Sequence, residues 1–205
     1  TQDFTIFLVV NKTNSTTSGS MKIFALYSKV KLIQKPEWFD DFYRRYNTST
    51  GYHVTLKQAC FLEEKDLPDV KSKLSRLFDS NPIPKHEIQL IFNNLVLDTS
   101  STVTKTIMLN AEPEPTIYHL QRSTLSALAS YKEYVHPESQ AWEETFKPHI
   151  TIVSDVNSTD YQQAIKELGK NYTCRGIIRD VALIIVDNMV PREADNPENQ
   201  IIYPL

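Results

Sequence analysis

Apolar positions along this chain fall into short runs and helical stripes. Runs at 4–10, 22–30, 52–61, 87–97, 102–109, 146–153, 176–186 and 200–203 have strand length. Between them, residues 36–47 open on Pro36, carry Asp40 and Asp41 early, and repeat Trp38, Phe39, Phe42 and Tyr46 at helical spacing, which predicts a helix with that stripe in the core. Residues 66–78 place Leu67, Val70, Leu74 and Leu77 on one helical face. Pro115 opens a long helix predicted over 116–134, and 158–169 predict another, with Gly169 as its stop. The polar stretch 11–20 reads as a loop. Strands and helices mix without strict alternation, so the class is α+β.

One order recurs. The strand beginning HVTL, the helix at 66–78 and the apolar strand at 87–97 are echoed by the strand containing HITI, the helix at 158–169 and the strand at 176–186. An internal duplication is the simplest account, and it implies two related, pseudo-symmetric lobes. We expect each lobe to be a mainly antiparallel sheet with helices outside and a central cleft, within one domain over 1–205. Residues 1–20 are then either an extension or a first strand plus loop.

Composition narrows the class. With 205 residues, 40% apolar and 23% charged, the chain can build a core. Its net charge of −3 argues against a general nucleic-acid coat, but not against a small nucleotide or short RNA held by a few local groups. Two cysteines, Cys60 and Cys174, make no disulfide scaffold and read as free thiols. No apolar run is long enough for a membrane span. The opening FTIFLVV is too short for a signal segment and lacks its basic flank, so a cytoplasmic location is expected.

The chemistry lies in the two repeated strands. Side chains on a strand alternate faces, so His53 and Thr55 share one face of HVTL while Val54 and Leu56 share the other. In HITI, His149 and Thr151 lie opposite Ile150 and Ile152. Cleaving a phosphodiester in line needs a base for the nucleophile and an acid for the leaving oxygen, and histidine titrates near neutrality. A hydroxyl two residues away can donate to a non-bridging phosphate oxygen. Two such patterns among five histidines arise by chance roughly once in a hundred sequences of this composition.

These two motifs, HVTL and KPHITI, closely resemble those of the 2H phosphoesterase superfamily, which includes 2′,3′-cyclic and 2′,5′-phosphodiesterases and proteins named for 2′-5′ RNA ligase activity. The resemblance covers most of the chain from Lys22 onward. It implies a two-lobed α+β fold with the cleft between lobes, and His53 and His149 as an acid–base pair. It also implies Thr55 and Thr151 as phosphate-binding hydroxyls, and no metal or other cofactor.

Further candidates are weaker. Lys57 continues the His53/Thr55 face and could offset phosphate charge. Tyr52, Trp142 and Phe146 flank the motifs and could stack a base, Phe146 best of the three because it enters the motif strand directly. His86, His119 and His136 stand alone, without metal-ligand spacing. With four glycines and no Gly-rich loop, any phosphate must be held by side chains. A monomer is expected.

Overall fold

A computed structural model describes residues 20–47, 51–79, 83, 86–98, 105–187 and 191–205. The strand expected at 4–10 and the loop at 11–19 lie outside the described residues, as does the start of the strand expected at 102.

Among the described residues, nine strands form two sheets. The first holds β1 (Met21–Lys29), β3 (His53–Glu63), β8 (Asp180–Val186) and β9 (Gln200–Pro204) in the order β3-β1-β8-β9. The second holds β2 (Lys31–Gln34), β4 (Ile88–Asp98), β5 (Lys105–Ala111), β6 (His149–Val156) and β7 (Cys174–Ile178) in the order β2-β7-β4-β5-β6. Every pairing is antiparallel. Helices α1 (Phe39–Tyr46), α2 (Leu67–Asp79), α3 (Pro115–Ala127), α4 (Ser139–Glu144), α5 (Ser158–Glu167) and α6 (Pro191–Asp195) complete an α+β fold. Among the described residues no helix is long and apolar enough to cross a membrane.

Local chemistry sets the helix ends. Pro115 sits at the start of α3, and the Glu114 carboxylate accepts from Ile117 N–H at 2.9 Å. The Asn157 side chain caps α5, accepting from Thr159 and Asp160 N–H at 2.9 Å each. The apolar faces meet in one core: Phe24 and Leu26 of the first sheet, Leu90, Phe92, Leu109 and Ile150 of the second, and Val70, Leu74 and Phe78 of α2. Cys60 and Cys174 are both free and buried.

The repeated order is present, but its strands are shared between sheets. β3 lies in the first sheet, and β4, after α2, lies in the second. β6 lies in the second, and the run after α5 enters both sheets: the single strand expected over 176–186 breaks at Arg179 into β7 and β8. Both halves are apolar and buried, so periodicity carried no sign of the change of partner. The strand expected at 22–30 is β1, and beyond Val30 the chain adds β2, an element not expected from the sequence, to the other sheet.

The helix expected over 116–134 ends at Ala127. The chain beyond it pairs along β3: Phe61 N–H donates to Glu133 O at 2.7 Å, Val135 N–H to Ala59 O at 2.9 Å, and Tyr134 forms a bridge with Cys60. Covering part of the edge of β3 overrides the helical propensity of this segment.

Gly169 follows α5 without the left-handed backbone of a helix-stopping glycine. Its bare α-carbon instead makes room for the Trp38 indole, which a Cβ there would overlap.

Candidate active site

β3 and β6 are edge strands of different sheets, and they lie against each other. Alternation holds in both motifs. Val54 and Leu56 are 1% exposed, and Ile150 and Ile152 are fully buried. His53, Thr55, His149 and Thr151 are all partly exposed on the opposite faces.

Each imidazole is tied to the carbonyl two residues before it. His53 Nδ1 lies 2.7 Å from Gly51 O, and His149 Nδ1 lies 2.8 Å from Lys147 O. A carbonyl only accepts, so Nδ1 carries the hydrogen in both rings and Nε2 is the basic nitrogen of the neutral form. Burial pushes both histidines below their ordinary value of 6.5, against the opposing effect of the carbonyl bonds. The rings also sense each other, because a charge on His149 lowers the proton affinity of His53. A charge on one ring therefore disfavours a charge on the other.

Three further residues shape the site, and the sequence did not single them out. Tyr27 of β1 stacks on the His53 ring, with centroids 4.4 Å apart and planes at 22°. Asp195, at the end of α6, accepts from Gly51 N–H at 3.2 Å and acts on His53, Tyr27 and Tyr43 by its charge. The buried Asn47 donates to Thr151 O at 3.0 Å and accepts from Ser154 Oγ at 3.1 Å, fixing β6 to the end of α1. Tyr27 and Asp195 reach His53 only through tertiary pairing, so no local pattern marked them.

Lys57 departs from the expected face. The β1–β3 ladder shifts register on both sides of the pair Leu26↔Lys57, so alternation breaks there and Leu56 and Lys57 are both buried. The Lys57 ammonium is 3.0 Å from Glu143 Oε1 and lies over the Tyr134 ring at 4.3 Å. Its charge is therefore committed to Glu143.

The aromatic candidates lie in three different settings. Tyr52 packs on Tyr43 at 4.2 Å and on Phe39 at 5.8 Å, which makes it part of the wall beside α1. Phe146 is partly exposed and meets the Tyr118 ring edge-on at 5.5 Å. Trp142 is 47% exposed on α4. A cleft of about 280 Å³ opens between α3, α4 and Lys57, and none of the four motif side chains lines it. Among the described residues no three His, Cys, Asp or Glu side chains cluster as metal ligands.

A family model described as the 2′-5′ RNA ligase superfamily matches residues 31–189, well over half of the chain and inclusive of both motifs. No curated protein matches. Among solved structures, the chain is similar to Usb1 of Kluyveromyces marxianus: 11% identical over 89% of this chain and 98% of that one, TM-score 0.49. It is similar to E. coli LigT complexed with 3′-AMP: 16% identical over 91% and 95%, TM-score 0.48. It is also similar to TT0787 of Thermus thermophilus: 14% identical over 90% and 94%, TM-score 0.46.

Proposed function

Because the chain belongs to the 2′-5′ RNA ligase superfamily, the 2H phosphoesterases, we propose that it is a metal-independent phosphodiesterase. Its substrates are 2′,3′-cyclic or 2′,5′-linked nucleotide phosphodiesters, and His53 and His149 form its acid–base pair. The observation that carries this reading is the matched pair of ring bonds. Both imidazoles use Nδ1 on a backbone carbonyl two residues back, which supports Nε2 as the proton-transfer atom in both.

The step follows from a pair that shares one proton. The neutral histidine takes a proton from water, or from the neighbouring ribose 3′-hydroxyl of a 2′,5′ bond, as the new P–O bond forms. The protonated histidine delivers its proton to the leaving ribose oxygen as that P–O bond breaks. The proton has then moved from one ring to the other. Thr55 and Thr151 donate hydrogen bonds to the non-bridging oxygens, where negative charge builds in the transition state. All four side chains come from one chain, so the reading requires no second copy. We take Phe146, partly exposed and leading into β6, as the aromatic group that meets a base.

The test is a turnover panel in EDTA with 2′,3′-cyclic nucleotides and 2′,5′- and 3′,5′-linked oligonucleotides. Turnover of a cyclic or 2′,5′ substrate, insensitive to chelation, is expected. Turnover that needs an added divalent cation would overturn the metal-independent mechanism. Tight nucleotide binding without turnover across the panel would instead identify an inactive binding module.

A further inference from the structure

The two histidines make the same ring bond, but the backbone behind each bond is held differently. Lys147 O is followed by Pro148, whose ring fixes its own φ and confines Lys147 to extended conformations. Pro148 O also accepts from Ala111 N–H at 2.7 Å, so that arm is stiff and anchored to β5. In the His53 arm the matching carbonyl, Tyr52 O, is likewise anchored, accepting from Val30 N–H at 2.8 Å, but the residue bonded to the ring is Gly51, the type with the widest backbone freedom, with no proline after it. Asp195 holds Gly51 itself: Oδ2 accepts from Gly51 N–H at 3.2 Å, while Gly51 O accepts from His53 Nδ1–H at 2.7 Å. Asp195 is itself set in place, because Asn199 Nδ2 donates to Glu193 O at 2.9 Å and Gln200 Nε2 donates to Ala194 O.

We propose that Asp195 is a positioning residue for His53, acting through the backbone of Gly51, and that it makes the two histidines inequivalent. Among the described residues no carboxylate serves the Lys147–His149 arm in the same way. Among the described residues, groups that face His53 from the packed elements include Tyr27, stacked on the ring, Lys29, opposite it in the β1 register, His149 and Asp195. The Lys29 ammonium donates to Gln200 Oε1 at 2.9 Å. Asp195 is the anion in this set, and it favours the protonated ring while His149 opposes it. The inference rests on the two-histidine reading for its catalytic meaning, yet its first test needs no turnover.

That test is long-range ¹H–¹⁵N NMR of the histidine rings in wild type, Asp195→Asn and Asp195→Ala, titrated through the His53 and His149 transitions. Asn keeps an acceptor for Gly51 but removes the charge, so His53 should titrate about half a pH unit lower, the scale of a solvent-screened charge. His149 should move much less. Ala removes the anchor as well, and His53 should then lose part of its Nδ1–H tautomer population. If phosphodiester turnover is confirmed, Asp195→Ala should lower kcat about tenfold with KM little changed, as expected for a misoriented acid–base group. His53 unmoved in both variants, or both histidines shifting together, would overturn the proposal. Absent wild-type turnover would overturn the functional reading while leaving the NMR result to stand by itself.

Discussion

Replacing Glu143 with alanine removes the acceptor of four hydrogen bonds. Two come from Lys57 Nζ at 3.0 and 3.3 Å, one from Gln58 N–H at 2.7 Å, and one from the Tyr134 hydroxyl at 2.6 Å. The Lys57 and Glu143 side chains are only 2% and 6% exposed, so the ammonium left behind is poorly hydrated, reached by water only through the cleft that the two residues line. Breaking a buried pair by removing one partner costs about 3–5 kcal/mol, most of it the burden of the surviving charge. With a urea slope of about 2 kcal/mol/M, this corresponds to a loss of roughly 2 M in the unfolding midpoint. Replacing both partners, Lys57→Met with Glu143→Leu, removes both charges and should recover all but about 2 kcal/mol, the remainder reflecting the Gln58 and Tyr134 donors. Urea unfolding of wild type, the two single variants and the double variant measures this as a coupling energy. The same double variant should keep its KM for a phosphodiester, because the Lys57 charge never reaches substrate. A Glu143→Ala variant within about 1 kcal/mol of wild type, or a double variant no better than the single, would refute the buried-pair reasoning. A clear rise in KM would return Lys57 to the substrate.

Both histidines lie below 6.5 through burial, so kcat/KM should be bell-shaped with its optimum on the acid side of 6.5, checked by pH–rate profiles on the substrate that turns over. The same shifts act on stability: between the folded values and 6.5 the unfolded chain binds more protons, so stability present above 6.5 is lost as pH falls through that window, as urea midpoints against pH would show. Gly169→Ala should displace the Trp38 indole, weaken its 2.9 Å bond to Asn171 O, and cost about 1–3 kcal/mol, read by urea unfolding and tryptophan fluorescence.

The motif strands were legible because their information is local. An apolar pair on one face and His-x-Thr on the other is a period-two statement, and β3 and β6 obey it as far as Thr55 and Thr151. It failed at Lys57, where a register irregularity against β1 turns the next residue inward. A bulge is a property of the pairing, which a single strand does not encode. The same reason accounts for the broken strand at 176–186 and the shortened helix after Pro115: in each, the chain changes partner while its apolar pattern continues. Asp195 was illegible for a different reason. It sits 142 residues beyond His53 (195 − 53) in a helix of five residues with no apolar stripe, and only the fold brings it to Gly51.

Whether His53 and His149 act as one acid–base unit is decided by single-turnover cleavage with wild type, His53→Ala, His149→Ala and the double variant. Residues that act as a unit are strongly non-additive. Each single variant should therefore lose nearly all cleavage and the double variant should be scarcely worse than either, with all four proteins binding substrate comparably. A single variant that keeps wild-type cleavage, or losses that multiply in the double variant as for independent sites, would contradict it.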